Sequence, residues 1–272
     1  MERFNASPAG LLHSLWKQRG LIYSLIYRDV VGRYRGSIFG ILWSFITPLI
    51  FLCVYTFVFG TIFKRSWTDG QTSSIDFPLI LFGGLLVFNL FADCISKAPN
   101  SIAGKPAFVK RIVFPLEVLS VSNLGSALFQ CLITSMIWVL AFISLKGVPP
   151  VSVILAPVML APLVMFLLGL SWFLASLGVF IRDLAHIISV FITINLFISA
   201  VFFPIASVPE RYREILLLSP LTSGIEFFRQ VSFFGQMPDL GSYGLQLIFG
   251  ACSMFLGYIW FQRTRRGFAD VL

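Results

Sequence analysis

Between Ser37 and Phe63 the chain runs for 27 residues without a charged side chain. A helix needs about 20 such residues to cross the hydrocarbon core of a bilayer. In lipid every backbone N–H and C=O must be paired within the segment, so a run of this kind becomes a helix. Arg28, Arg33 and Arg35 precede it, Lys64 and Arg65 close it, and Pro48 removes one backbone donor inside it, which marks a kink. Buried helices of soluble proteins are rarely so long. Composition points the same way: 12% of the residues are charged, against about 25% in soluble domains. That is too little polar surface to coat a globule of this size, so the chain is expected to be an all-α integral membrane protein.

The same pattern recurs down the chain. Six transmembrane helices are expected, at about 37–63, 77–95, 116–145, 151–181, 187–203 and 240–261. Residues 1–36 carry no apolar core before a small-residue cleavage site, so no cleavable signal peptide is expected. Their pieces Leu11–Gln18 and Leu21–Arg35 interleave apolar residues with Trp16, Lys17, Arg19, Tyr23 and Tyr27. That suits an amphipathic helix lying in the headgroup plane, or a cytosolic tail. Residues 204–239 hold too many apolar residues for a plain loop and too many charges for a span. Pro204, Pro209, Pro220 and Pro238 divide them into two short pieces, the second starting at Ser219-Pro220 or at the capping-box form Ser223-x-x-Glu226. A re-entrant helical hairpin over about 204–235 satisfies both halves of this pattern, because non-spanning backbone at that depth survives only under protein or water. An amphipathic flap resting on lipid is the other reading. Residues 263–272 read as a short tail.

Six spans put both termini on one side. That side then holds fourteen of the 20 Lys and Arg residues, in segments 1–36, 97–113 and 263–272 and at Arg182; Lys64, Arg65, Lys146, Arg211, Arg213 and Arg229 lie opposite. Bases favour the cytoplasm, so both ends are expected there. The net charge of +8 is spread between apolar runs rather than gathered on one face, so no nucleic-acid partner is expected. Cys53, Cys94, Cys131 and Cys252 lie in or beside apolar runs without CxxC spacing and read as small hydrophobes. No GxxxxGK[ST] phosphate loop, no HExxH and no Cys/His cluster with metal spacing occurs. The chain reads as non-catalytic, with no metal and no cofactor of its own.

Several stretches resemble the membrane subunit of ABC-2 type polysaccharide exporters. They are Arg33-Tyr34-Arg35-Gly36-Ser37, Gly40-Ile41-Leu42-Trp43, Thr47-Pro48-Leu49 and Lys110-Arg111-Ile112-Val113-Phe114-Pro115-Leu116-Glu117. Further on come Phe202-Phe203-Pro204, Val208-Pro209-Glu210-Arg211-Tyr212 and Ser219-Pro220-Leu221-Thr222. The family more often has Asn-Pro at 219–220 and Tyr at 203. The resemblance implies a bacterial inner-membrane half-transporter that pairs with a second copy of itself and exports a lipid-linked polysaccharide: O-antigen, capsule or teichoic acid. It also implies a separate ABC ATPase subunit carrying the ATP and Mg, which agrees with the missing nucleotide motif.

Three groups of residues then acquire expected roles. The loop 97–113, with Ala103, Gly104, Lys105, Lys110 and Arg111, would be the coupling element on the ATPase; anchoring of Lys97 and Lys110 to anionic membrane lipid is the other reading. Asn123, Ser126, Gln130 and Thr134 share one face of the third span, lining a sugar path or making interhelical hydrogen bonds. Phe51, Tyr55 and Phe59 recur every fourth residue and either stack on sugar faces or face lipid. Glu226 and Arg229, three apart, would line or brace an outer gate. Rival functions are an ABC-2 exporter of drugs or small lipids, a self-sufficient channel or secondary transporter, and a membrane enzyme of glycan or lipid assembly. A secondary transporter places ionisable groups near midplane, and none is found there.

The tally of bases makes the topology testable. In a cysteine-free background, an impermeant thiol reagent on intact cells should label Thr68→Cys and Met237→Cys and spare Ala103→Cys and Thr264→Cys. Strong labelling of Ala103→Cys would overturn the orientation.

Overall fold

The computed structural model describes residues 8–63, 67, 76–105, 108 and 114–271. Every regular element among them is helical. Two short helices lead, α1 (Pro8–Lys17) and α2 (Arg19–Tyr34). The first apolar run forms α3 (Trp43–Tyr55), entered by a 3-10 turn at Gly40–Leu42 and continued by a π-helical stretch at Thr56–Ile62. Then come α4 (Asp76–Lys97), α5 (Asn100–Ala103) and α6 (Glu117–Lys146). A 3-10 turn at Val151–Leu155, α7 (Ala156–Met159) and α8 (Ala161–Phe180) follow, then α9 (Leu184–Ile198). After a 3-10 turn at Ile205–Ser207 come α10 (Glu210–Leu218) and α11 (Pro220–Arg229), the latter running on as a π-helical stretch, Gln230–Phe234. The chain closes with α12 (Leu240–Thr264) and α13 (Phe268–Val271).

Among the described residues five stretches are long and apolar enough to cross a membrane: Gly40–Ile62, Asp76–Lys97, Glu117–Lys146, Val151–Phe180 and Leu240–Gly267. Leu184–Ile198 is apolar but shorter. It begins three residues before the expected span and stops five before its expected end, where Ser199 turns extended and its hydroxyl donates back to the Asn195 carbonyl.

Helix α4 is the hub. From Asp76 to Phe88 every residue is buried, against α6 on one flank and α11 on another. The tryptophans that pack this core also satisfy their polar ends: Trp138 Nε1 donates to the Leu79 carbonyl at 2.9 Å and Trp172 Nε1 to the Glu117 carbonyl at 3.0 Å. By contrast only Ser44 and Leu52 are buried on α3. On α2, Leu25 and Val30 pack inward while Tyr23, Tyr27 and Arg28 stay exposed.

Helices α8 and α12 touch backbone to backbone. A Cβ built on Gly257 would lie 2.1 Å from the Gly169 carbonyl oxygen, and one on Gly169 would lie 2.2 Å from that of Ser253. Small residues let membrane helices approach this closely. The N-terminus of α12 is capped by Asp239, which accepts from the Ser242 backbone N–H at 2.8 Å. That bond holds the Asp239 carboxyl below its usual range, so the cap is intact at neutral pH and fades as acid protonates it. At the other end the chain folds back: Phe268 is fully buried between Phe180 and Phe261. The second piece of the proline-divided segment starts at Pro220, not at the capping box. Ser223 Oγ points back to the Ser219 and Pro220 carbonyls instead.

Gly257→Leu should be among the most damaging changes in the chain. Overpacking of a tight core costs about 1–3 kcal/mol, and here the obstacle is backbone that has no rotamer with which to yield. Thermal unfolding in detergent should show a clear loss, while Gly244→Ala, with nothing within 4 Å of its built Cβ, should leave the transition in place.

Candidate functional site

A cavity of about 640 Å³ lies between α3, α4, α6 and α9. Trp43, Thr47, Phe51 and Tyr55 of α3 form one wall, and Phe82, Leu86, Asn89 and Asp93 of α4 form another. Gln130 and Thr134 come from α6, Ser189 and Thr193 from α9. Phe51 and Tyr55 are stacked, their ring centroids 6.0 Å apart. The lining is therefore aromatic on one side and sparsely hydroxylated or amidated on the others. Such a surface presents flat faces and hydrogen-bonding groups without a fixed charge in its middle.

Charge sits at one end. Asp93 accepts from Arg33 at 3.0 Å and from Lys97 at 2.7 Å. All three side chains are partly exposed, so the pairs are worth little individually and more as a network. Beside them Tyr34 donates to Gln130 Oε1 at 3.1 Å, and Gln130 Nε2 donates to the Ser44 carbonyl at 3.1 Å. This chain of bonds ties α2, α3 and α6 together at the cavity mouth.

The expected stripe on α6 divides. Gln130 and Thr134 line the cavity, whereas Asn123 and Ser126 are buried away from it, Ser126 Oγ donating to the Asn123 carbonyl. The aromatic row divides too: Phe51 and Tyr55 line the cavity, while Phe59 continues the row past it to Phe63 and Phe77. Sequence reasoning missed Asn89. With Asp93 and Ser96 it forms a polar stripe at spacings of four and three, the same signal that picked out α6, and all three line the cavity.

Arg229 lies elsewhere and is 1% exposed. Its guanidinium donates to the carbonyls of Ala200 and Val201 and to Glu226 Oε1 at 2.9 Å, and lies 4.4 Å from the Trp67 ring centroid. A Cβ added to Gly84 would come within 2.4 Å of Arg229 Nη2, so Gly84 keeps the seat open. The guanidinium thus holds the 200–201 carbonyls to the helix that carries it.

In the expected coupling segment, α5 is seated with Ser101 and Ile102 buried, while Ala103 and Lys105 are half-exposed and Gly104 exposed. A Cβ on Gly178 would lie 2.1 Å from the Pro99 carbonyl oxygen, so the start of this segment rests directly on α8. Lys110 and Arg111 lie outside the described residues. Just beyond them, Glu117 pairs with Arg265 at 2.9 Å and accepts from Ser14 Oγ at 3.2 Å, and Arg265 also donates to the Phe114 carbonyl. One carboxylate thus ties α1, α6 and the end of α12.

The family model for the ABC-2 type transporter matches residues 20–233. Among curated proteins, the chain is 27% identical to an O-antigen export system permease protein RfbA of Myxococcus xanthus, over 90% of this chain and 95% of that protein. It is 22% identical to a polysialic acid transport protein KpsM of Escherichia coli, over 91% and 94%. A capsule polysaccharide export inner-membrane protein CtrC of Neisseria meningitidis is 22% identical, over 82% and 83%.

Removing the Arg229 guanidinium should be expensive. Breaking a buried pair by deleting one partner costs about 3–5 kcal/mol, and Arg229→Met also strands two carbonyls. Arg229→Lys should not restore stability, because an ammonium lacks the planar fork that reaches several acceptors. Thermal unfolding of the purified variants checks both statements.

Proposed function

This chain belongs to the ABC-2 type transporter family, and from that premise we propose that it is the permease subunit of an exporter that moves a lipid-linked polysaccharide across the bacterial inner membrane. The observation that carries the reading is the extent of the likeness. Relatives named for O-antigen, polysialic acid and capsule export align over 82% or more of both chains, so what is shared is the whole membrane bundle and not one motif.

In this reading the cavity is half of the translocation path. Its aromatic wall offers stacking faces to sugar rings, and Asn89, Gln130, Thr47 and Thr193 offer hydrogen bonds that do not demand one linkage. Two copies of the chain complete the path, meeting across the sparsely buried α3 and α9. Helix α9 is 15 residues long, about 22 Å at 1.5 Å per residue. The turns and bends at 199–203 would finish a sixth crossing of a core about 30 Å thick. Helices α10 and α11 then form the re-entrant hairpin over the outer mouth, with the Glu226–Arg229 pair bracing it. Both termini are cytoplasmic, and α1 and α2 lie at the inner membrane face.

ATP and its Mg are bound and hydrolysed by a separate ABC ATPase subunit. The partner docks at the segment that includes Ala103, Gly104 and Lys105 and runs on to Lys110 and Arg111. Docking there would push on α8 through the Pro99–Gly178 contact and on α6 through Glu117.

Reconstitution tests the whole reading. Vesicles holding this chain and its ATPase should move a labelled lipid-linked polysaccharide only when ATP is present, and cells lacking the chain should accumulate the polymer inside. Lys105→Glu should leave ATP hydrolysis near its original rate while export falls at least several-fold. Transport without any ATPase, or unaltered surface polysaccharide in the deletion strain, would refute the proposal.

A further inference from the structure

A second cavity, of about 510 Å³, is a furrow between α8 and α12 that shares no lining residue with the first. Its origin is the glycine contact. Where Gly169 and Gly257 bring the two backbones together there is no side chain to fill the surface, and the flanking Phe173, Phe249 and Trp260 stand up as walls. The furrow is lined by apolar and small residues along its length and by one charged residue, Arg263, at one end. Phe249 and Arg263 lie fourteen positions apart on one continuous helix, about 21 Å at 1.5 Å per residue. One leaflet of hydrocarbon is about 15 Å deep, so the furrow reaches from the headgroup level to near the bilayer centre.

Its electrostatics are one-sided. Arg263 and Arg266 are exposed, and neither is ion-paired with a carboxylate among the described residues. Arg265 between them is occupied by Glu117. Trp260 is 42% exposed and packs tilted against Phe173 with ring centroids 5.5 Å apart, an amphipathic ring one turn from the charged end, as interfacial tryptophans are placed. A partner helix would need a counter-charge only at its tip and a seam narrow enough for this furrow. One lipid with an anionic head and an apolar tail supplies both.

We propose that the furrow between α8 and α12 is a binding site for an anionic membrane phospholipid, one acyl chain lying over the Gly169–Gly257 contact and the headgroup phosphate held by Arg263. Basic pockets between membrane helices take anionic headgroups in this way. The site stands apart from the cavity assigned to transport, and its test does not depend on export.

The test is quenching of Trp260 in the full chain, embedded in nanodiscs that contain a minor fraction of phospholipid brominated on its acyl chains. The chain has six tryptophans, so the Trp260 signal is taken as the difference between the original protein and Trp260→Phe. Brominated phosphatidylglycerol should quench that signal at lower mole fraction than brominated phosphatidylcholine. Arg263→Gln should reduce the preference roughly fivefold, the worth of one interfacial cation, and Arg263→Lys should keep most of it. Cys252→Phe, which sets a ring into the furrow from an exposed position, should lower quenching by both lipids. Equal quenching by the two lipids, or a preference untouched by Arg263→Gln, would overturn the site. So would absence of quenching by either lipid, which would mean that protein covers the furrow. Displacement of phosphatidylglycerol by a polyprenyl phosphate at lower mole fraction would also overturn it, by assigning the furrow to the transported lipid.

Discussion

The buried guanidinium of Arg229 is the interaction on which the most irregular part of the structure depends. Helix α9 ends at Ile198, Ser199 is extended and residues 200–203 form turns and bends, leaving carbonyls at 200 and 201 with no helical partner. Unpaired backbone in an apolar interior costs several kcal/mol per group. Arg229 answers both carbonyls, and Glu226 and the Trp67 face answer its own charge. Only Arg has the fork to do this from one side chain. The broken end of α9, the helix α11 that carries Arg229 and the glycine notch of α4 are therefore one unit.

A second constraint sets the shape of the rest. Gly169 in α8 and Gly250 and Gly257 in α12 let the two backbones meet directly, and the ring pairs Phe166–Phe249 and Trp172–Tyr258 pack beside them. The two helices become a rigid slab, with α4 and α6 packed against it. Nothing comparable holds α3 or α9, whose buried residues are few. The fold thus has a tightly packed half, which bears the furrow between α8 and α12, and a sparsely buried half, α3 and α9, which lines the cavity together with α4 and α6. In the proposed transporter, the sparsely buried wall would be the one that faces the cargo.

What could be read in the sequence follows from how local the signal is. Long uncharged runs located five helices within a few residues, since crossing length and backbone pairing act on each segment alone. The prolines of 204–239 likewise announced two short helices. Arg229 was read only through its neighbour at three residues, Glu226, because its carbonyl partners lie 28 and 29 residues back and have no side-chain signature. The end of α9 was misplaced for the same reason: nothing in 199–203 is polar enough to mark a helix end, and what stabilises it is distant. On α6 a shared helical face was legible, but not which part of that face meets the cavity. Gln130 and Asn123 differ only in what the neighbouring helices bring against them.

The placement of charge completes the physical account. Asp76 pairs with Lys146 at one end of the bundle, at 3.0 Å. At the other end are Asp93 with Arg33 and Lys97, and Glu117 with Arg265. Between them the cavity wall carries amides, hydroxyls and aromatic rings. A fixed charge there would hold a polar polymer at one point, or would itself need a partner that blocked the way. In the proposed path, weak and repeated contacts would let each sugar bind and leave at similar cost. The ionic pairs at the ends join α2, α4, α6 and α12 where a partner's push would arrive. The same helices thus carry charge at the rims and neutral polarity along the cavity, so drive and passage would fall to different chemistry.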